Sequence, residues 1–238
     1  MESGIQRHLL DLNRSFYERF ARPFADSRSI SQASLMRVLS PIADGSHVLD
    51  VGCGDGRVAR VLDGLGRRIT YVGIDASPSL VALARERAIA LAHVTTTFAL
   101  ADVTTAVWPT RLGRCAFDYV LALALLHHIP GHDLRVRLVQ QMAGLLGPAG
   151  TLVISTWQFL RSERLRRKIV PWTAVGLHES QVEPGDYLLD WRRGGYGLRY
   201  CHLINQADLE ALCQEAGLSV RETFLADDGL NLYLVAVR

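Results

Sequence analysis

The sequence predicts an α/β fold, a doubly wound and mostly parallel seven-stranded sheet with helices on both faces and a C-terminal antiparallel hairpin. Three observations predict it. Short β-branched apolar runs alternate with helical patterns across residues 47–156. A glycine-rich turn joins the first of these runs to the helix after it. Two further runs, 219–225 and 230–237, flank Ala226-Asp227-Asp228-Gly229, whose Asp-Gly pair reads as a hairpin turn.

Leu9, Leu10, Leu12, Phe16, Phe20 and Phe24 recur at near-helical spacing, so the chain opens with an amphipathic helix that runs into the polar turn Asp26-Ser27-Arg28-Ser29. A second helix over 32–40 stops before Pro41, because the residue preceding a proline is driven out of the α region. Residues 47–51 form a strand, 56–65 a helix closed by Gly66, and 69–74 a second strand, which is a β-α-β unit. The cycle continues with a helix over 78–92, strands over 96–101 and 117–122, a helix over 134–146 and a strand over 151–156. From 157 to 199 the pattern degrades into a basic segment and a Gly/Pro-interrupted stretch, too long for an ordinary connection, which predicts an inserted loop or lid. A last helix covers 206–216. The expected organisation is an N-terminal helical lobe, 1–45, and a main domain, 46–238, carrying the insertion.

With 238 residues, 49% of them hydrophobic and 21% charged, the chain holds one sizeable core and excludes global disorder. A net charge of +2 implies no strong whole-molecule field toward nucleic acid. Cys53, Cys115, Cys201 and Cys213 lack the paired short spacing of a zinc site and read as free thiols in a reducing compartment. The first 22 residues are interrupted by Arg7, Asp11, Arg14, Glu18 and Arg19, and no later stretch reaches ~18 uncharged apolar residues, so a cytoplasmic chain without membrane contact is expected.

The chemistry concentrates at Val48-Leu49-Asp50-Val51-Gly52-Cys53-Gly54-Asp55-Gly56-Arg57, where a buried strand runs through three glycines into a helix. Glycines let backbone approach a ligand closely, and a helix N-terminus offers unpaired N–H groups. The spacing is G-x-G-x-G rather than the G-x-G-x-x-G of a dinucleotide site, and Asp50 stands two residues before the first glycine. A carboxylate there would repel a pyrophosphate and attract an amino group, such as that of the methionine part of S-adenosylmethionine (SAM).

Asp75 ends the next strand 23 positions after Gly52, near the ~20-residue offset at which an acid meets ribose hydroxyls. Asp102 ends the third, where it can accept from an adenine amine. Each acid alone also reads as a helix N-cap, but three acids at three strand ends fall where parallel α/β sheets bind ligands. The cofactor set is therefore Asp50, Gly52, Cys53, Gly54, Asp75, Ala76, Asp102, Val103 and Leu123. The fourth strand leads into Leu125-Leu126-His127-His128, so His127 and His128 are candidates beside the transferred group, although either can simply pack the turn. This segment offers too few ligands for a metal, and none is expected.

With these residues, the chain resembles the class I SAM-dependent methyltransferases over residues 46–156. Within them it looks most like the tRNA wobble-uridine carboxymethyl methyltransferases. The pieces that carry this are Ser27-Arg28, Leu125-Leu126-His127-His128, Trp157, Gly185-Asp186 with Trp191, and Arg199-Tyr200-Cys201-His202-Leu203. The resemblance implies a Rossmann-like fold, SAM as donor with S-adenosylhomocysteine as product, and a tRNA acceptor. It places Arg28, a histidine of the His127-His128 pair and Arg199 at the acceptor, and implies a small activating protein partner. The chain departs from the family pattern at Cys201, Ala149 and Asn231-Leu232.

A carboxylate acceptor is already ionised and needs no base, so Arg28 and Arg199 would grip it. An alcohol or amine acceptor would need His127 or His128 as base. The run Arg161-Ser162-Glu163-Arg164-Leu165-Arg166-Arg167-Lys168, with Arg192 and Arg193, reads either as a phosphate-contacting rim or as a solvated helix face. Trp157, Trp172 and Trp191 can stack on a base or form the insertion's own core. The alternatives to a tRNA enzyme are a methyltransferase of a small metabolite and a non-catalytic subunit that keeps the fold.

Overall fold

A computed structural model describes residues 1–28, 33–113 and 116–238. Ser29 and Gln32, at the edges of two expected elements, and Cys115 lie outside the described residues. The main sheet is built from β1 (His47–Val51), β2 (Ile69–Asp75), β3 (Val94–Leu100), β4 (Phe117–Leu123), β5 (Leu146–Trp157), β9 (Ser219–Ala226) and β10 (Asn231–Val237). Its order is β3-β2-β1-β4-β5-β10-β9, with β10 antiparallel to both neighbours and the β1, β2, β3, β4 and β5 pairings parallel. This is the doubly wound seven-stranded architecture the sequence predicts, including the hairpin, where Asp227, Asp228 and Gly229 all take positive φ.

Strand alternation divides the core. Leu49 and Val51 face one layer, with α6 (His132–Gly144) and α8 (Gln206–Glu215), while Val48 and Tyr71 face the other, with α3 (Ala33–Leu39), α4 (Arg57–Gly64) and α5 (Pro78–Ala88). Each fully buried Leu or Val in these layers stabilises the fold by roughly 1.5–3 kcal/mol. Boundaries move for local reasons. The helix expected over 78–92 stops at Ala88, and Asp63 Oδ1 accepts the N–H groups of Ala92, His93 and Val94, which starts β3 two residues early. The first helix is two, α1 (Ser3–Arg19) and α2 (Ala21–Ala25). Pro23 lacks an N–H and its ring collides with the carbonyl four residues back, which breaks the helix at Phe20.

The largest difference is in 157–199, expected as an irregular loop or lid. It holds α7 (Glu163–Arg166) and most of a second, antiparallel sheet, β6 (Ile169–Val170), β7 (Asp186–Trp191) and β8 (Gly197–His202). Buried acids interrupt the apolar alternation that would have revealed it. Asp186 Oδ1 accepts the Tyr200 hydroxyl at 2.7 Å and lies 2.7 Å from His202 Nδ1. Asp190 pairs with Arg192 at 2.7 Å and Lys168 at 3.5 Å. One face of the small sheet packs Leu188 and Tyr200 on Leu9 of α1, together with Trp172, which is a core residue. Among the described residues no helix is long and apolar enough to cross a membrane, and Cys53, Cys201 and Cys213 are free and buried.

Candidate active site

A cavity opens beyond the carboxyl ends of β1, β2, β3 and β4, roofed by α1 and α2. All nine residues assigned to the cofactor border it. Asp50, Gly52, Cys53 and Gly54 come from β1 and its turn, Asp75 and Ala76 from β2, Asp102 and Val103 from beyond β3, and Leu123 from β4.

The glycine turn is held by Gly52 N–H and Cys53 N–H, which donate to the Ile74 carbonyl at 2.8 and 2.9 Å. Gly52 has φ +77°, and a Cβ there would stand 3.0 Å from Leu125 Cδ1, so glycine is required for both conformation and space. Asp75 Oδ2 accepts Gly54 N–H and its Oδ1 accepts Ser77 N–H, both at 2.9 Å, so this acid ties the turn to the start of α5. Asp50 is buried and accepts the Tyr71 hydroxyl at 2.6 Å. Burial pushes its carboxyl up to about 7, against the Tyr71 hydrogen bond and the Arg57 charge. Burial likewise raises Asp75.

The N-terminal helix latches over this wall. Arg14 pairs with Asp102 at 2.8 Å, while Thr104 occupies the other oxygen of that carboxylate through N–H and hydroxyl. Glu18 accepts the Ser77 hydroxyl at 2.6 Å and Ser79 N–H at 3.2 Å. Asp55, buried behind the turn, pairs with Arg60 at 2.6 Å and with Arg87, which also reaches Asp26.

At the other end, Ala124 in the left-handed region (φ 58°) turns the chain so that 125–129 folds back along the cavity. The two histidines divide there. His128 borders the cavity; its Nε2 lies 2.6 Å from the Tyr17 hydroxyl and its Nδ1 3.0 Å from the Tyr200 carbonyl. His127 does not border it, because its Nδ1 is turned away to accept the Trp157 N–H at 3.3 Å. Burial pushes His128 down to about 3 and His127 well below its usual value, with the nearby Arg199 charge adding to both. Both imidazoles are neutral at pH 7.

Arg28 borders the cavity with its guanidinium 4.4 Å from the Phe24 ring centroid, and burial with the Arg57 charge lowers it to about 10, still a cation at neutral pH. Arg199 stands one layer behind Tyr17. It is buried in a cage of Trp157, Trp191 and Phe16 at 4.8, 5.5 and 5.5 Å, and its Nε has no partner. The basic segment is largely spent on the protein itself: Arg166 donates to the Leu160 carbonyl, Arg167 pairs with Glu163, and Lys168 and Arg192 share Asp190.

Sequence reasoning missed Tyr17 and Arg57, which border the cavity, and Asn13, whose side chain bridges Tyr200 N–H at 2.8 Å and the Tyr200 and His128 carbonyls. A signal existed: Leu10, Asn13, Arg14 and Tyr17 fall at i, i+3, i+4 and i+7 on the inward stripe of α1, so polar groups face inward there.

The sequence profile of the methyltransferase domain family matches residues 17–223. Among curated relatives, the tRNA (carboxymethyluridine(34)-5-O)-methyltransferase ALKBH8 of Macaca fascicularis is 31% identical over 141 residues, 59% of this chain and 19% of that protein. Trans-aconitate 2-methyltransferase of Delftia acidovorans is 33% identical over 147 residues, 61% of this chain and 49% of that protein. The chain thus spans about a fifth and about half of these two relatives. Among solved structures, a SAM-dependent methyltransferase of Methanosarcina mazei shares the fold at TM-score 0.67 and 16% identity, over 85% of this chain and 96% of that one. The putative methyltransferase in complex with the Trm112 activator of Haloferax volcanii does so at TM-score 0.63 and 18% identity, over 94% and 96%. With a glycine turn and an acid on each of the first two strands at a strand-end cavity, inside a fold whose family profile covers most of the chain, this chain belongs to the methyltransferase domain family.

Proposed function

We propose that this enzyme esterifies a carboxylate oxygen of its acceptor, and that the acceptor is the 5-carboxymethyl group of a tRNA wobble uridine. The observation that carries the first half is Arg199, a buried cation with an unpartnered Nε behind the cavity, with Arg28 at its border and only neutral imidazoles beside them. Two guanidinium groups suit an anionic acceptor, and no imidazole there has the basicity to deprotonate a neutral one. The second half rests on the ALKBH8-like relatives and on the Arg28, His128 and Arg199 pattern.

The cavity fits SAM. Asp50 would take the amino group, the Gly52-Cys53-Gly54 backbone the methionine part, Asp75 the ribose hydroxyls, and Asp102 the adenine edge, in competition with Arg14. When bound, SAM supplies a methyl made electrophilic by its sulfonium. The chain's own residues then align and shield: Arg28 and Arg199 orient the carboxylate, α1 covers the cofactor wall, and Leu123 and Leu125 exclude water. α1, α2, the turn 125–129 and the insertion 157–199 would make up the acceptor side, and the ends of β1, β2 and β3 the donor side. The open edge of β3, flanked by exposed Ile89 and Leu100, is the surface we assign to a small activating protein.

Methyl-label transfer to tRNA bearing 5-carboxymethyluridine tests this. Label that enters tRNA and is released by mild alkali, as an ester must be, is the expected result. Base-stable label in RNA would reject the carboxylate acceptor. Base-labile label only in an RNA-free extract of small acids would favour a metabolite enzyme, the reading supported by the trans-aconitate methyltransferase likeness and the internally paired basic segment.

A pH dependence follows from Asp50. Below about pH 7 its buried carboxyl holds a proton that must leave before it can face an ammonium group. Affinity for SAM should fall toward about tenfold per pH unit below pH 7, with proton release on binding. Calorimetry in two buffers of different ionisation enthalpy checks it, and methylthioadenosine, which lacks the amino group, should show no such slope.

A further inference from the structure

Tyr17 belongs to no part of the reading above, yet it is the side chain on which the acceptor end converges. Its ring is fixed by edge contacts with Phe16, Phe24 and His128, with centroids at 5.1, 5.0 and 5.3 Å. Its hydroxyl lies 2.6 Å from His128 Nε2, within the field of the Arg199 charge.

The direction of these bonds can be worked out. The Tyr200 carbonyl, 3.0 Å from His128 Nδ1, can only accept, so Nδ1 carries the hydrogen of this neutral ring. Nε2 then has only a lone pair, and Tyr17 must donate to it. A phenol has one hydrogen, so its bond to His128 uses the only one Tyr17 has. The chain runs one way, from Tyr17 through His128 to Tyr200. Neither imidazole nitrogen is left over for an acceptor.

We propose that Tyr17 is a positioning residue that sets acceptor choice: it occupies the lone pair of His128, so the imidazole cannot serve as a base and the site is left to an acceptor that is already anionic. This rests on the carboxylate reading above. An alcohol or amine, which must lose a proton to accept a methyl, finds the imidazole closed to it. Asp50 and Asp75, on the donor wall, are held by Tyr71 and by the Gly54 and Ser77 N–H groups. The charged and titratable groups that face His128 are Tyr17, Arg28, Arg199, His127 (ring centroids 4.2 Å apart) and Cys201, whose Sγ lies 3.6 Å from Nδ1. Burial raises Tyr17 to about 12, so its hydroxyl keeps its hydrogen throughout the working range.

The test uses the full chain, with Tyr17→Phe and, to identify the resonance, His128→Asn. Imidazole nitrogen NMR of the protein with S-adenosylhomocysteine needs no acceptor. The expected result is a His128 ring with hydrogen on Nδ1 that does not titrate between about pH 5 and 8, and whose titration moves upward in Tyr17→Phe, because a bond to the neutral form has been lost. A His128 hydrogen on Nε2, titration near pH 6.5 in the unaltered chain, or no movement in Tyr17→Phe would overturn the proposal. If the unaltered enzyme methylates no carboxylate, the functional reading fails, while the NMR result still decides whether Tyr17 closes His128.

Discussion

Replacing Arg199 with methionine is expected to lower methyl transfer to a carboxylate acceptor by about 10²–10³-fold, the scale of losing a preorganised electrostatic group. SAM affinity should stay within about twofold, because Arg199 does not border the cavity lined by Asp50 and Asp75. The fold should survive. The side chain sits among Phe16, Trp157 and Trp191, a cage that accepts an unbranched apolar chain, and removing a buried cation with an unpartnered Nε relieves a desolvation cost. Arg199→Lys should recover little, since an ammonium group lacks the planar fork that meets a carboxylate with two parallel bonds. Single-turnover label transfer, with a thermal melt as control, measures both effects. A folded Arg199→Met protein that turns over at the original rate would remove Arg199 from the acceptor site.

Gly52→Val should cost SAM affinity about 10²-fold or more and destabilise the fold by roughly 1–3 kcal/mol. Two separate obstacles meet at this position. A β-branched residue is strongly disfavoured at φ +77°, and the added Cβ would stand 3.0 Å from Leu125 Cδ1, which itself borders the cavity. Relief by backbone rotation would break the paired bonds of Gly52 and Cys53 to the Ile74 carbonyl, and with them the shape of the turn. Gly54→Ala is the contrast: φ is +56° but nothing lies within 4 Å of the added Cβ, so only the roughly 1–2 kcal/mol of left-handed strain is expected. Calorimetry with S-adenosylhomocysteine and denaturant unfolding of both variants separate the terms. Equal losses in the two would mean that strain, and not the Leu125 contact, makes glycine necessary at position 52.

The donor half was legible because its information is local. The 47–75 β-α-β unit writes its two periods directly into the sequence, and the turn at Gly52, Gly54 and Gly56 needs positive φ three times in five residues. Asp50, Asp75 and Asp102 could be assigned by position alone, since parallel strands deliver their carboxyl ends to one edge. The acceptor half was legible only by resemblance. Of the residues the resemblance places at the acceptor, Arg28 and His128 border the cavity, whereas His127 faces the Trp157 N–H and Arg199 does not border it. The small sheet was read as loop because Asp186 and Asp190 sit where apolar alternation should be, and their partners, His202, Tyr200, Lys168 and Arg192, lie on other segments.

Period, turn chemistry and chain order are properties of neighbouring residues, and from them follow the sheet, its helices, the hairpin and a cavity at the strand ends. Which side chains close that cavity is a matter of partners far apart in the chain. Asn13 meets Tyr200 across 187 positions, Tyr17 meets His128 across 111, and Arg14 meets Asp102 across 88. A polar residue on an apolar stripe announces only that it will be buried. What it is buried against, and hence whether a histidine is a base or a spent hydrogen-bond acceptor, depends on the packing of α1 against β8 and the histidine turn, which no local pattern encodes.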